Sequence, residues 1–130
     1  GDFSRITALA REAVSTMLGF ELAHIGINCD SEAEADSAAD TFQSLFGFAK
    51  KVGSSSIFAG SGFELMKATG LGTHGHIAIK TNYINRAVYY LEKQGVSFDA
   101  DSAKKDDKGN LKAIYLKNEI AGFAIHLLQK

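Results

Sequence analysis

The sequence predicts an α+β domain made of a duplicated strand–helix–strand–strand–strand unit, preceded by one extra helix. Two observations carry that reading. First, a short strand pattern occurs twice, as Ala-His-Ile-Gly-Ile-Asn (Ala23 to Asn28) and as Gly-His-Ile-Ala-Ile-Lys (Gly75 to Lys80). Its histidines, His24 and His76, hold the same place and stand 52 residues apart. Second, each copy is followed by a helical period and then by three short strand-like runs, and self-similarity at a fixed period marks a repeated structural unit. One unit alone is a four-stranded sheet with a helix on one face. Two side by side give a concave, half-open, eight-stranded mixed sheet whose uncovered faces enclose a cleft, a common setting for ligands.

The elements follow in order. Residues 2–18 read as a helix, because Phe3, Ile6, Ala10, Ala13, Val14 and Met17 recur at helical spacing and Gly19 can stop it. This helix has no counterpart before the second copy, so residues 1–19 stand apart from the repeats, 20–70 and 71–130. Residues 21–29 alternate as a strand, with Ala23, Ile25 and Ile27 on one face and His24, Gly26 and Asn28 on the other. Ser31 and Glu34 form a capping box for a helix whose stripe is Ala35, Ala38, Ala39, Phe42, Leu45 and Phe46, ended by Gly47. Residues 48–52, 56–59 and 63–67 read as short strands, and the glycine-rich run 68–74 as the link between halves. The second half repeats the order: a strand over 76–81, a helix over 82–94 stopped by Gly95, and strands over 97–99, 111–116 and 123–128. The charged stretch 101–108 reads as a solvated loop, with the turn Asp107-Lys108-Gly109-Asn110 beside it.

Composition narrows the function classes. A chain of 130 residues with 45% hydrophobic and 22% charged residues has the makings of one ordinary core. The formal net charge of −1 offers no electrostatic footprint for nucleic acid or an anionic membrane. No apolar run approaches the roughly 20 residues of a membrane span. The lone Cys29 cannot form an internal disulfide, which points to a reducing cytoplasm. With no proline, the turns rest on glycine, Asn, Asp and Ser.

Two such units with a histidine in each first strand resemble the vicinal oxygen chelate superfamily, which includes glyoxalase I, extradiol dioxygenases and bleomycin-binding proteins. The resemblance covers Glu21 to Lys130. It implies metal ligands from the first and last strand of each unit: His24 and Glu64 in the first, His76 and His126 in the second. His126, in the run Ala-Ile-His-Leu, stands where that family usually has a glutamate. The run from Asp2 to Val14 and the segment Gly-Phe-Ala-Ile-His-Leu-Leu-Gln-Lys are similar to bacterial 2-keto-3-deoxy-6-phosphogluconate / 4-hydroxy-2-oxoglutarate aldolases that carry a C-terminal chelate-type domain. That second likeness implies a lyase polypeptide whose barrel precedes this chain, and whose Schiff-base lysine is not among the lysines here.

Imidazole and carboxylate together suit Zn, Ni, Co, Fe or Mn. Strand parity supports the set, since each of the four residues is flanked by apolar neighbours that can pack beneath the helices. A lone strand histidine is usually a hydrogen-bonded sheet residue, whereas a carboxylate between Phe63 and Leu65 is costly unless partnered. Lys67, Lys80 and Tyr115 are candidate contacts for a small 2-oxo or sugar acid, against the alternatives of solvated lysines and a sheet tyrosine. His74 reads as a rim residue, and Cys29 has no basic neighbour to activate it. No catalytic residue can be assigned. The chain reads either as a metal-dependent enzyme domain or as a metal-free binding, regulatory or dimerisation module, and a homodimer is expected in both cases.

Overall fold

A computed structural model describes residues 2–130. It contains helix α1 (Asp2–Leu18), then β1 (Glu21–Asn28), α2 (Glu32–Phe46), β2 (Lys50–Val52), β3 (Ser56–Ala59) and β4 (Phe63–Met66). The second unit is β5 (Gly75–Thr81), α3 (Ile84–Lys93), β6 (Phe98–Lys105), β7 (Leu111–Leu116) and β8 (Phe123–Gln129). All eight strands join one mixed sheet in the order β2-β3-β4-β1-β5-β8-β7-β6. Each unit closes by a parallel pairing of its first and last strands, β1 with β4 and β5 with β8. The units meet through the antiparallel β1–β5 pair. The expected α+β architecture with its extra N-terminal helix is therefore the one found.

Each half has its own core, on the helix side of the sheet. In the first, Ala35 and Ala39 of α2 lie flat on Ile57 and Leu65, with Cys29 beside them. In the second, Ile84 and Ala87 of α3 pack on Ile114 and Leu127, with Leu18 of α1. Fully burying side chains such as Ile57, Leu65 and Ile84 contributes about 1.5–3 kcal/mol apiece. That burial fixes which strand face turns inward and sends the alternate residues to the open face.

Local chemistry sets the boundaries. Ser31 Oγ accepts the Glu34 N–H at 3.1 Å, and the Glu34 carboxylate reaches back to the N–H of Asp30. Gly47 ends α2 with φ +73°, a left-handed cap that glycine adopts without strain. Helix α3 begins at Ile84 rather than Asn82, because the Gln129 carboxamide of β8 accepts the Ile84 N–H at 2.8 Å and caps it from the neighbouring strand.

Three expectations change. The charged stretch from Asp101 is a strand as far as Lys105: β6 runs from Phe98 along the sheet edge. Ser102 Oγ accepts the Tyr115 N–H at 2.9 Å and its hydroxyl donates to the Asp99 carbonyl at 2.6 Å, bridging an irregularity in the β6–β7 register. Charged side chains suit an edge strand, where they discourage further pairing. Second, the α1 stripe is buried only at its C-terminal end, where Val14, Met17 and Leu18 meet the second core; Phe3, Ile6 and Leu9 are exposed. Third, the stripe of α2 ends early, for Leu45 and Phe46 are exposed beyond the sheet. Among the described residues no helix is long and apolar enough to cross a membrane.

Candidate metal centre

The cleft face is read directly from the register. Glu64 on β4 stands opposite Gly26 on β1, and Gly26 stands opposite His76 on β5, so one cross-strand row carries a carboxylate, a gap and an imidazole. His24 lies two residues from Gly26 on the same face, beyond a register shift between Leu22 and His24 that re-aims the strand. The gap is required: a Cβ on Gly26 would come within 2.0 Å of the His76 ring.

His24, Glu64 and His76 converge. His24 Nε2 and Glu64 Oε2 are 3.1 Å apart, His76 Nε2 and Glu64 Oε2 3.0 Å, and the two Nε2 atoms 3.1 Å. The side chains are largely shielded, with 7% of His76, 15% of His24 and 17% of Glu64 exposed. Ser56, buried on β3, donates its hydroxyl to the second carboxylate oxygen, Glu64 Oε1, at 2.8 Å. Phe58 sets its ring edge-on to His24 at 5.7 Å. Hydrogen bonds from His24, His76 and Ser56 hold the Glu64 carboxyl far below the usual carboxylate range, His24 most of all and against the opposing cost of burial.

These residues fit a divalent cation on two grounds. The donor set, two imidazoles and one carboxylate, is one that borderline transition metals take. The three edges are also nearly equal. Donor atoms about 2.1 Å from a common ion and at right angles to one another stand about 3.0 Å apart. Hydrogen bonding alone accounts for the triangle less well. If both imidazoles donate from Nε2 to Glu64 Oε2, their two N–H hydrogens crowd each other across the 3.1 Å edge. A cation uses all three lone pairs and needs neither proton.

His126, the fourth position implied by the sequence, is not brought into this convergent group. It lies on the same face, its ring 6.1 Å from that of His76 and stacked on Tyr115 at 4.4 Å. Neither ring nitrogen has a hydrogen-bond partner among the described residues, and both are shielded from solvent. Burial, reinforced by the positive neighbourhood of His76, His24 and Lys104, pushes its pKa down to about 4, so the imidazole is neutral. Tyr115 stands in the cleft beside it, its phenol pKa raised by burial and by the Glu64 charge.

The lysines singled out from the sequence go elsewhere. Lys67 pairs with Glu32 at the start of α2, at 3.0 Å, and Lys80 with Glu21 at 3.6 Å. Four residues of strand separate Lys80 from His76, about 13 Å of backbone. His74 is a rim residue whose ring meets Phe123 at 5.7 Å. Cys29 is buried, and that burial raises its thiol pKa, as expected of an inert thiol. The sequence reading missed Ser56 and Phe58. Parity could have found them: once Glu64 is placed on the open face, its partner across β3 must face the same way.

The fold is a pair of strand–helix–strand–strand–strand units joined edge to edge in one sheet. Solved structures share it. A hypothetical protein from Bacillus halodurans C-125 superimposes with a TM-score of 0.59 at 17% identity, over 85% of this chain and 94% of that one. Methylmalonyl-CoA epimerase from Streptomyces coelicolor, complexed with 2-nitronate-propionyl-CoA, gives 0.57 at 17% identity over 84% and 96%. The Mycobacterium tuberculosis epimerase gives 0.57 at 14% identity over 87% and 89%. At these identities the likeness is one of fold. No protein-family model and no curated protein sequence matches the chain.

Proposed function

We propose that this chain is a glyoxalase-type domain that holds one divalent cation, of the Zn, Ni, Co, Fe or Mn group, through His24, Glu64 and His76 and offers it to a small 2-oxo or sugar acid in the cleft. The nearly equilateral triangle of donor atoms carries this reading. A cation bound there supplies Lewis acidity toward the carbonyl and carboxylate oxygens of such an acid. Ser56 orients Glu64 by occupying its other oxygen, the usual duty of a group behind a ligand. Tyr115 contributes a phenolic donor, and neutral His126 a ring nitrogen with no protein partner. His126 is then a contact for the bound acid, or a fourth ligand after a ring rotation.

Metal titration of chelator-treated protein, purified without a histidine tag and followed by calorimetry and by Co(II) absorption, tests this reading. One site per chain is expected, lost in His24→Ala, Glu64→Ala and His76→Ala. Folded wild-type protein that takes up none of Zn, Ni, Co or Mn would overturn it.

The parent polypeptide is proposed to be an aldolase of the 2-keto-3-deoxy-6-phosphogluconate / 4-hydroxy-2-oxoglutarate type, a lyase in the cytoplasm, with α1 as the end of its barrel. The exposed Phe3, Ile6 and Leu9 support this, since an apolar helix stripe calls for a partner surface. The isolated chain should cleave neither keto acid. A homodimer is proposed as well, supported by the exposed Leu45, Phe46 and Phe48, and light scattering reads it directly.

A further inference from the structure

The row that carries Glu64, Gly26 and His76 continues beyond the metal group. Glu64 is opposite Phe58 on β3, and Phe58 is opposite Lys51 on β2. Four neighbouring strands therefore present, side by side on the open face, an ammonium, a phenyl ring, a carboxylate and a gap, and a fifth adds an imidazole. Lys51, Ser56 and Phe58 line a hollow of about 570 Å³. Two of its walls touch the metal group, through the Ser56–Glu64 hydrogen bond and the Phe58–His24 ring contact. The hollow is an annex of the cleft.

Lys51 differs from its sequence neighbour in a telling way. Lys50 points to the helix side and is clasped by Asp36 at 2.6 Å and Asp40 at 2.9 Å. Lys51 has no carboxylate partner among the described residues. Glu64, beyond the phenyl ring, is already satisfied by three donors. An exposed, unmatched lysine thus shares the open face and one hollow with the phenyl ring that adjoins the metal group.

The geometry points to Lys51 as the specificity-determining residue of this cleft: it receives the remote anionic group of an acid whose near oxygens lie over His24, Glu64 and His76 and whose carbon body rests on Phe58. The inference deepens the proposed function, on which it depends for what lies at the near end. The ligand class is a dianionic small acid whose charged ends bridge from the lysine on β2 to the group centred on β4 and β1, backbones two or more strand spacings, about 10 Å or more, apart. A monoanion would leave Lys51 idle, and a neutral ligand would leave the ammonium facing an apolar body.

The probes are malonate, succinate, glutarate and inorganic phosphate, titrated calorimetrically into chelator-treated and into Co(II)-loaded protein. At least one dicarboxylate should bind wild-type protein. Lys51→Met should weaken it tenfold or more, about 1.4 kcal/mol. Lys51→Arg should restore most of the loss, and Lys108→Met, in an exposed turn, should leave it unchanged. Phosphate binding that depends on Lys51 and exceeds that of the dicarboxylates would reassign the remote group to a phosphoryl. Equal affinity of Lys51→Met and wild type, or no binding of any probe to the wild type, would overturn the inference. Co(II) affinity, read alongside, should be the same in Lys51→Met. If Co(II) binds and the acids ignore Lys51, only this inference falls. If Co(II) does not bind and the acids still depend on Lys51, the metal reading falls and this one stands.

Discussion

The two halves of the molecule share one architecture but not one open face. In the first, Glu64 on β4 is fully engaged by His24, His76 and Ser56. In the second, the equivalent His126 on β8 stacks on Tyr115 and has no polar partner among the described residues. Their pKa shifts differ in cause as well. Donors stabilise the charged form of Glu64, while burial and neighbouring positive charge keep His126 neutral. A duplicated scaffold thus supplies two equivalent positions, and the residue type decides which one becomes a hub. The carboxylate collects donors from both halves. The imidazole, facing two others, cannot.

The largest effect should come from breaking the hub. Glu64→Ala should lower Co(II) or Zn(II) affinity by well over the about 10–100-fold typical of groups behind the ligands, whereas His126→Ala should stay within that range. Equal losses would show that His126 swings in and that the halves are more alike than the donor distances indicate. Next, Gly26→Ala should displace the His76 ring, lower metal affinity at least tenfold and cost about 1–3 kcal/mol in thermal unfolding. In the second half, Ala78 holds the corresponding small-residue place, opposite His24 and His126. Ser56→Ala should weaken metal binding about tenfold, with little change in stability.

A smaller effect concerns pH. His126 binds its proton less tightly when folded, at about 4, than the ordinary histidine value of 6.5. The unfolded chain therefore takes up the proton first. The stability that neutral His126 contributes is present above pH 6.5 and is lost as the pH falls from there toward 4. In chelator-treated protein, His126→Leu should flatten the melting temperature across that window. The Glu64 contribution should be lost separately, as the pH falls below 4.5 and the depressed Glu64 carboxyl loses its advantage over an unfolded one. The smallest change should follow removal of residues 2–12. Those whose side chains are described are exposed, so calorimetry should find the domain's unfolding shifted by no more than about 0.5 kcal/mol.

Much of this was legible in the sequence for a definite reason. A period-2 pattern fixes strand faces, so one histidine on the open side of β1 and one on β5 follow from Ile25, Ile27, Ile77 and Ile79 taking the opposite face, where Ile27 and Ile79 join the two cores. The repeat then located β4 and β8. What stayed hidden depends on distance across the sheet. Lys67 and Lys80 are near the right strands, but acids on α2 and β1 claim them. Parity can put Ser56, Phe58 and Lys51 on the open face, but their place beside the His24–Glu64–His76 group is set by the β2–β3–β4 register, which no local pattern encodes. The strand over Asp101 to Lys105 was masked by its charge, because an edge strand is permitted side chains that read as a loop.

The β1–β5 seam has a consequence for assembly. Two donors of the triad come from the first unit and one from the second, so a cation held by all three is a rivet driven through the joint between them. The free energy of holding it adds to the cohesion of the two halves, and a chain cut at the 68–74 link would have to recover that joint before it could hold the ion. On the proposed function, metal occupancy would gauge whether two independently packed cores melt as one body or as two.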